Sequence, residues 1–328
     1  METKNSFDLM RLAAAMLVIF HHGFVLAGHA PPVLGAIKDL GGLGVGIFFV
    51  ISGYLIAASF ERSADIGVYL AKRVLRIAPA LIVMLLLTAF VLGPLITTLS
   101  TGAYLTRPEP WLYVVRNTLL YPVTYALPGV FEHNPFPVAV NGSLWTLRLE
   151  FTCYLGIALL GAGRALKGAV VAGLALAAAA AFLVIEHVLP NGAGGEALRL
   201  IDLAARNGFL FLAGAWFHLR GRKPGRWETG VSAVLLLTPV WILGLPAVVL
   251  ALGHVRGPKL PADISYGLYV YAFPIQQVLA SLGWLTFPAS LLATLPFAIM
   301  SWYLVEKPSL TLKRRLPHRS QASSAAVA

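Results

Sequence analysis

Five long apolar runs without a charged residue constrain this chain more than any other feature. They cover Gly41–Phe60, Pro79–Leu99, Gly168–Ile185, Thr229–Gly253 and Ile264–Val305. A helix rises 1.5 Å per residue, so each run can cross a hydrocarbon core about 30 Å thick, and the last can cross it twice. Charged residues make up 12% of the chain against 58% hydrophobic ones, roughly half the charged share of a soluble domain. The expected fold class is therefore all-α, a polytopic integral membrane helix bundle.

The net charge of +11 does not point to nucleic acid, because the basic residues are scattered over short loops and a tail. No single basic face is available to track a phosphate backbone. Topology accounts for them instead, since cytoplasmic loops collect Lys and Arg. The single cysteine, Cys153, excludes an intrachain disulfide and leaves the redox compartment open. Arg11 interrupts the first apolar segment where a signal peptide would be uniformly apolar, so this segment reads as a retained anchor.

Ten helices are expected, at about 7–27, 41–60, 79–99, 142–162, 168–187, 203–219, 229–243, 245–255, 264–282 and 287–305. With both termini cytoplasmic, 19 basic residues fall inside and five outside (Lys38, Arg107, Arg116, Arg199 and Arg206), while Arg148 lies within a helix. Merging the two helices around Gly244-Leu245-Pro246 would even out that split, so two short helices are expected there. Ser100 to Val140, rich in Pro and aromatics, reads as a long outer-face loop lying over the bundle. A membrane domain over 1–308 is expected to be followed by a basic, disordered tail over 309–328.

Arg11 and His22 lie eleven residues apart in the first segment, which places both on one helix face, about 16 Å apart along the axis. His21 is rotated about 100° away. An ionisable side chain inside a membrane is costly unless it meets a partner or a wet cavity, which makes His22 a candidate catalytic residue and Arg11 its helix partner. Glu150 sits eight or nine residues into the fourth expected helix, at a depth comparable with His22, where a carboxylate would orient the imidazole. The plainer alternative is that Glu150 pairs with Arg148 or Arg11. Arg73 and Arg76, three apart at the cytoplasmic mouth, make a phosphate clamp or, more plainly, topology anchors. Gly44, Ser52 and Gly53 offer close approach to another helix or an acyl chain. Cys153 shares a face with Glu150, but a lone buried cysteine reads as packing.

Six segments occur in an order that resembles the bacterial membrane acyltransferase-3 family. They are FDLMRLAAAMLVIFHH, GVGIFFVISGYLI, KRVLRIAPAL, SLWTLRLEFTCYL, SYGLYVYAFPI and YLVEKP, spread over about residues 5 to 308. The resemblance implies that His22 is the essential histidine and Arg11 its helix partner. It further implies that Arg73 and Arg76 meet the acyl donor and that Trp145 and Glu150 line the pocket; Ser52, from its place in the apolar span, is a further substrate-pocket candidate. Two family positions differ: Gly46 stands where members often carry Asp, and Ala272 where many carry His.

The resulting expectation is an integral inner-membrane O-acyltransferase in a bacterial plasma membrane. Acyl-CoA, with acetyl-CoA first in line, would be the donor, and a hydroxyl of a glycan or lipid-linked sugar the acceptor. His22 would act as general base or as nucleophile. No permanently bound cofactor, metal or nucleic acid is expected; membrane lipid is the surrounding partner. The rival class is a secondary transporter or glycan-export component with a buried Arg, His and Glu relay, against which stands the lack of repeat halves.

Overall fold

The computed structural model describes residues 5–63, 65–189, 195–258 and 260–317. Lys4, Lys259, Arg319 and the tail from 318 onward, which the sequence reading used, lie outside the described residues. The described residues form helices, and no named strand occurs among them.

The helices in chain order are α1 Phe7–Leu26, α2 Leu40–Glu61, α3 Ile66–Ile96, α4 Thr101–Leu105, α5 Pro108–Leu119 and α6 Leu144–Ala162. They continue with α7 Gly168–His187, α8 Gly195–Leu219, α9 Arg226–Leu235, α10 Leu245–Gly253, α11 Ser265–Ser281 and α12 Phe287–Leu312. Seven of them, α1, α2, α3, α6, α7, α8 and α12, are long and apolar enough to cross a membrane. At 1.5 Å per residue α9 and α10 reach only about half of a 30 Å core. The pair is joined through the short turn Trp241–Leu243, and neither helix is long enough to span that core by itself.

Two helices start earlier than hydropathy suggests. Asp65 caps α3 by accepting from the Val68 backbone N–H, so Arg73 and Arg76 lie within the helix and Pro79 in its interior. The apolar run begins only at Pro79 because Lys72, Arg73 and Arg76 interrupt it. Likewise α8 extends back to Gly195 through Glu196, Arg199 and Asp202. At the other end of the chain, helix continues to Arg314, past the boundary expected at residue 308.

Close helix contacts rest on small side chains. A Cβ at Gly53 would collide with the Phe211 carbonyl oxygen, and one at Gly214 with the Val50 carbonyl oxygen, so α2 and α8 cross backbone to backbone. α1 and α11 run side by side in one direction, joined by Arg11 and Asp263 near one end and by Gln276 Nε2 donating to Ile19 O (2.8 Å) toward the other.

The segment expected to be a loop over 100–140 contains α4 and α5, and Tyr104, Tyr113 and Asn117 are buried. After α5 the chain dips into the bundle. Gln277 Nε2 donates to Phe136 O (2.9 Å) and Ala139 O (2.7 Å), and Asn141 Nδ2 donates to Val270 O (3.0 Å). Non-helical backbone at membrane depth needs protein partners of this kind. One consequence matters for the site: α6 begins deep inside the bundle, not at its surface.

Candidate active site

A cavity of about 500 Å³ runs between α2, α3, α6, α11 and the C-terminal part of α12. On α2 its wall extends from Arg62 to Val45, seventeen residues, or about 26 Å along the axis. Its chemistry changes in steps along that length.

The mouth is basic. Arg11, Arg62, Lys72, Arg73 and Arg76 all line it. Arg76 is neutralised by two acids: Nη2 lies 2.9 Å from Asp263 Oδ2, and Nη1 3.4 Å from Glu306 Oε2. Asp263 also faces Arg11 at 3.9 Å and accepts from Ser265 Oγ at 2.5 Å. Burial pushes the Asp263 carboxyl up, but Arg76 and Arg11 beside it, with Ser265, hold it below its ordinary value. Glu306 closes a π-helical turn over Trp302–Glu306 and accepts from Ser301 Oγ at 3.0 Å; such turns occur often at functional sites.

Arg11 pairs more closely with Asp8, at 3.0 Å, whereas Arg62, Lys72 and Arg73 have no carboxylate partner among the described residues. Arg73, 6% exposed, donates from Nη2 to Ser59 Oγ (3.0 Å), and its guanidinium lies over the rings of Tyr69 and Tyr154. Its Nε is buried with no hydrogen-bond acceptor among the described residues. Lys72 Nζ reaches Ser63 Oγ (3.3 Å) and Pro317 O (3.4 Å). Arg62 is exposed at the rim. The two arginines of the expected clamp thus have different surroundings.

Midway along the cavity Glu150 Oε1 accepts from Ser52 Oγ at 2.6 Å and from Tyr154 Oη at 2.5 Å. The Ser52 and Glu150 of the sequence reading therefore meet in the cavity wall. Glu150 forms no ion pair with Arg148 or Arg11. Trp145 packs against the core and is not part of the wall.

Beyond Glu150 the cavity continues to its inner end, lined by Val45, Phe48, Thr146 and Tyr269. One turn further along α6, Thr146 Oγ1 and the Tyr269 hydroxyl share a 2.6 Å hydrogen bond, and the Phe48 ring meets Tyr269 edge-on at 5.6 Å. His22 lies past this layer, its ring 5.1 Å from that of Phe273. The expected His22–Glu150 pair is not formed. Phe273 is one turn beyond Tyr269 and Glu150 one turn before Thr146, so the two sites differ in depth by about 12 Å. A helix start at the membrane surface would put Glu150 level with His22, whereas α6 starts deep. His22 makes no hydrogen bond within the described residues, and Arg11 points into the mouth instead.

At the far end of α1, His21 Nε2 lies 3.6 Å from Asp39 Oδ1. Asp39 caps α2 by accepting from Gly42 N–H (2.6 Å) and meets Arg206 Nη1 at 3.3 Å. Asp39, Asp263, Glu306 and Tyr154 were not singled out from sequence. Glu306 could have been, because an acid inside an apolar helix calls for a partner. Asp263 and Asp39 sit just before helix starts and carried no comparable signal.

Residues 4–261 match the family model described as an acyltransferase domain. The chain is 31% identical to the O-acetyl transferase of Shigella phage Sf6 over 348 residues, covering 95% of this chain and 97% of that protein. It is 29% identical to Nodulation protein 10 of Rhizobium leguminosarum bv. viciae over 364 residues, covering 96% of each. No solved structure matches it.

Proposed function

Because the chain belongs to the acyltransferase-3 family of membrane O-acyltransferases, we propose that it moves an acyl group, acetyl first among them, from acyl-CoA to an acceptor hydroxyl across a bacterial inner membrane. The donor enters at the basic mouth, which the positive-inside rule puts on the cytoplasmic side. The acceptor, a glycan or lipid-linked sugar, approaches His22 from the opposite face. The observation that carries this reading is the set of mouth cations without carboxylate partners, Arg62, Lys72 and Arg73, opening into a cavity long enough for an extended thioester arm. Phosphates bind guanidinium and ammonium groups that are not already neutralised.

In this reading Arg76 holds the mouth together and Arg73 meets the donor. His22 takes the proton of the acceptor hydroxyl as its oxygen attacks the thioester carbonyl. The C–S bond breaks, an ester forms, and the proton passes to the departing thiolate. Glu150, fixed by Ser52 and Tyr154, gives the cavity a hydrogen-bond acceptor that positions the thioester arm.

The test uses membranes carrying the full chain and acetyl-labelled acetyl-CoA. Transfer of label to glycan or lipid-linked sugar is expected, reduced at least tenfold in Glu150→Gln at equal abundance. Label that stays on CoA in the presence of membrane glycan counts against the reading, as does a fully active Glu150→Gln.

A further inference from the structure

We propose that Phe48, Thr146 and Tyr269 form a gate between the donor cavity and His22, and that this gate limits the size of the acyl group transferred. The inference rests on the donor reading above.

The three residues line the inner end of the cavity, with Val45 about one turn past Phe48 on α2. Thr146 and Tyr269 are 5% and 7% exposed, and the hydrogen bond between their hydroxyls ties α6 to α11 across the path. Tyr269 Oη also lies 3.4 Å from Ser143 O, which fixes the ring from a second side. Phe48 closes the remaining side from α2. Phe48 is one turn from Ser52, and Thr146 one turn from Glu150, so the gate stands about 6 Å beyond the Ser52–Glu150 pair. His22 and Phe273 lie about 6 Å beyond the gate in turn.

An acyl group carried to His22 must pass this layer with its alkyl end leading. The layer is held by the Thr146–Tyr269 hydrogen bond and by contacts of both hydroxyls with Ser143 O, and it carries two rigid rings, so opening it by a side-chain rotation yields a narrow passage. Each methylene that does not fit such a passage costs roughly tenfold or more in selectivity. Acetyl passes with the least displacement; longer chains press on Phe48 and Tyr269, where overpacking is unfavourable. The gate also keeps water entering by the mouth away from the reacting thioester.

Chain-length profiles test this, measured as kcat/KM for acetyl-, butyryl- and hexanoyl-CoA in membranes with the full-length protein. Phe48→Ala is expected to raise the hexanoyl-to-acetyl ratio at least tenfold. Tyr269→Phe, which keeps the ring and removes the latch, is expected to raise it severalfold. Phe48→Leu replaces Phe48→Ala if the latter lowers abundance. Wild-type protein that transfers acetyl while all variants keep its profile overturns the gate and leaves the donor reading standing. Wild-type protein that consumes no acyl-CoA overturns the donor reading, and the gate with it.

Discussion

The two ends of the cavity axis solve the problem of buried charge in opposite ways. At the mouth, Arg76 is matched by Asp263 and Glu306 and Arg11 by Asp8 and Asp263, while Arg62, Lys72 and Arg73 have no carboxylate partner among the described residues. At the other end His22 is held by aromatic contacts, and the acid nearby, Asp39, is engaged by His21, Arg206 and the first turn of α2. Neutralised charge serves structure; charge or an imidazole left without a partner is available to a ligand. Breaking one group at each end should therefore separate loss of folding from loss of chemistry.

The largest effect is expected at the histidine pair. His22→Ala should reduce acyl transfer by about a hundredfold or more, the usual contribution of a general base, and leave membrane abundance unchanged. His21→Ala should cost less in activity, because His21 faces Asp39 rather than the aromatic layer next to the gate. Transfer assays normalised to membrane abundance decide this. Equal losses in both variants would erase the distinction between a chemical and a structural histidine.

The two arginines of the third helix come next, and they should fail differently. Arg76→Ala leaves Glu306 without its cation and Asp263 with only the longer Arg11 contact, and breaking a buried pair from one side costs about 3 kcal/mol or more. Its mark should be a lower thermal midpoint in detergent and poor abundance. Arg73→Ala removes charge-assisted hydrogen bonds to a ligand, worth about 1.5–3 kcal/mol, so the donor KM should rise roughly tenfold or more with a smaller stability loss. A raised donor KM in Arg76→Ala at full stability would reverse the assignment.

Hydrophobic run length made the bundle legible, since apolar segments must become helices in lipid whatever their partners. The polar starts of α3 and α8 were hidden for the same reason, because charged first turns lower hydropathy without ending a helix. Ser52 and Glu150 could be singled out as polar groups in apolar segments. Their meeting, the Arg76–Asp263–Glu306 cluster and the depth of Glu150 could not be read this way. Each depends on where distant helices start and how they cross, and the buried start of α6 just after Asn141 sets Glu150 two helical turns away from His22.

The smallest effect is expected at Asp39, where three roles coincide and can be separated by chemistry. Its carboxylate accepts the Gly42 N–H at the start of α2, pairs with Arg206 and faces His21. Asparagine caps a helix about as well as aspartate, whereas alanine loses the cap at a cost of about 1 kcal/mol. Asp39→Asn should then keep most of the stability while discarding the charge that Arg206 and His21 meet. If the far end contributes structure only, Asp39→Asn behaves like wild type and Asp39→Ala loses a few degrees of thermal midpoint with full activity per folded molecule. If the charge also steadies the first helix where His21 adjoins His22, both variants lose transfer by a similar small factor, below tenfold, although only the alanine variant is less stable. The second pattern is the expected one, because Gly41 has no Cβ that would hold His21 off the first turn of α2, so the histidine and the capped turn move as one unit. Transfer rates that track thermal midpoint across the two variants would show instead that Asp39 acts through the cap alone.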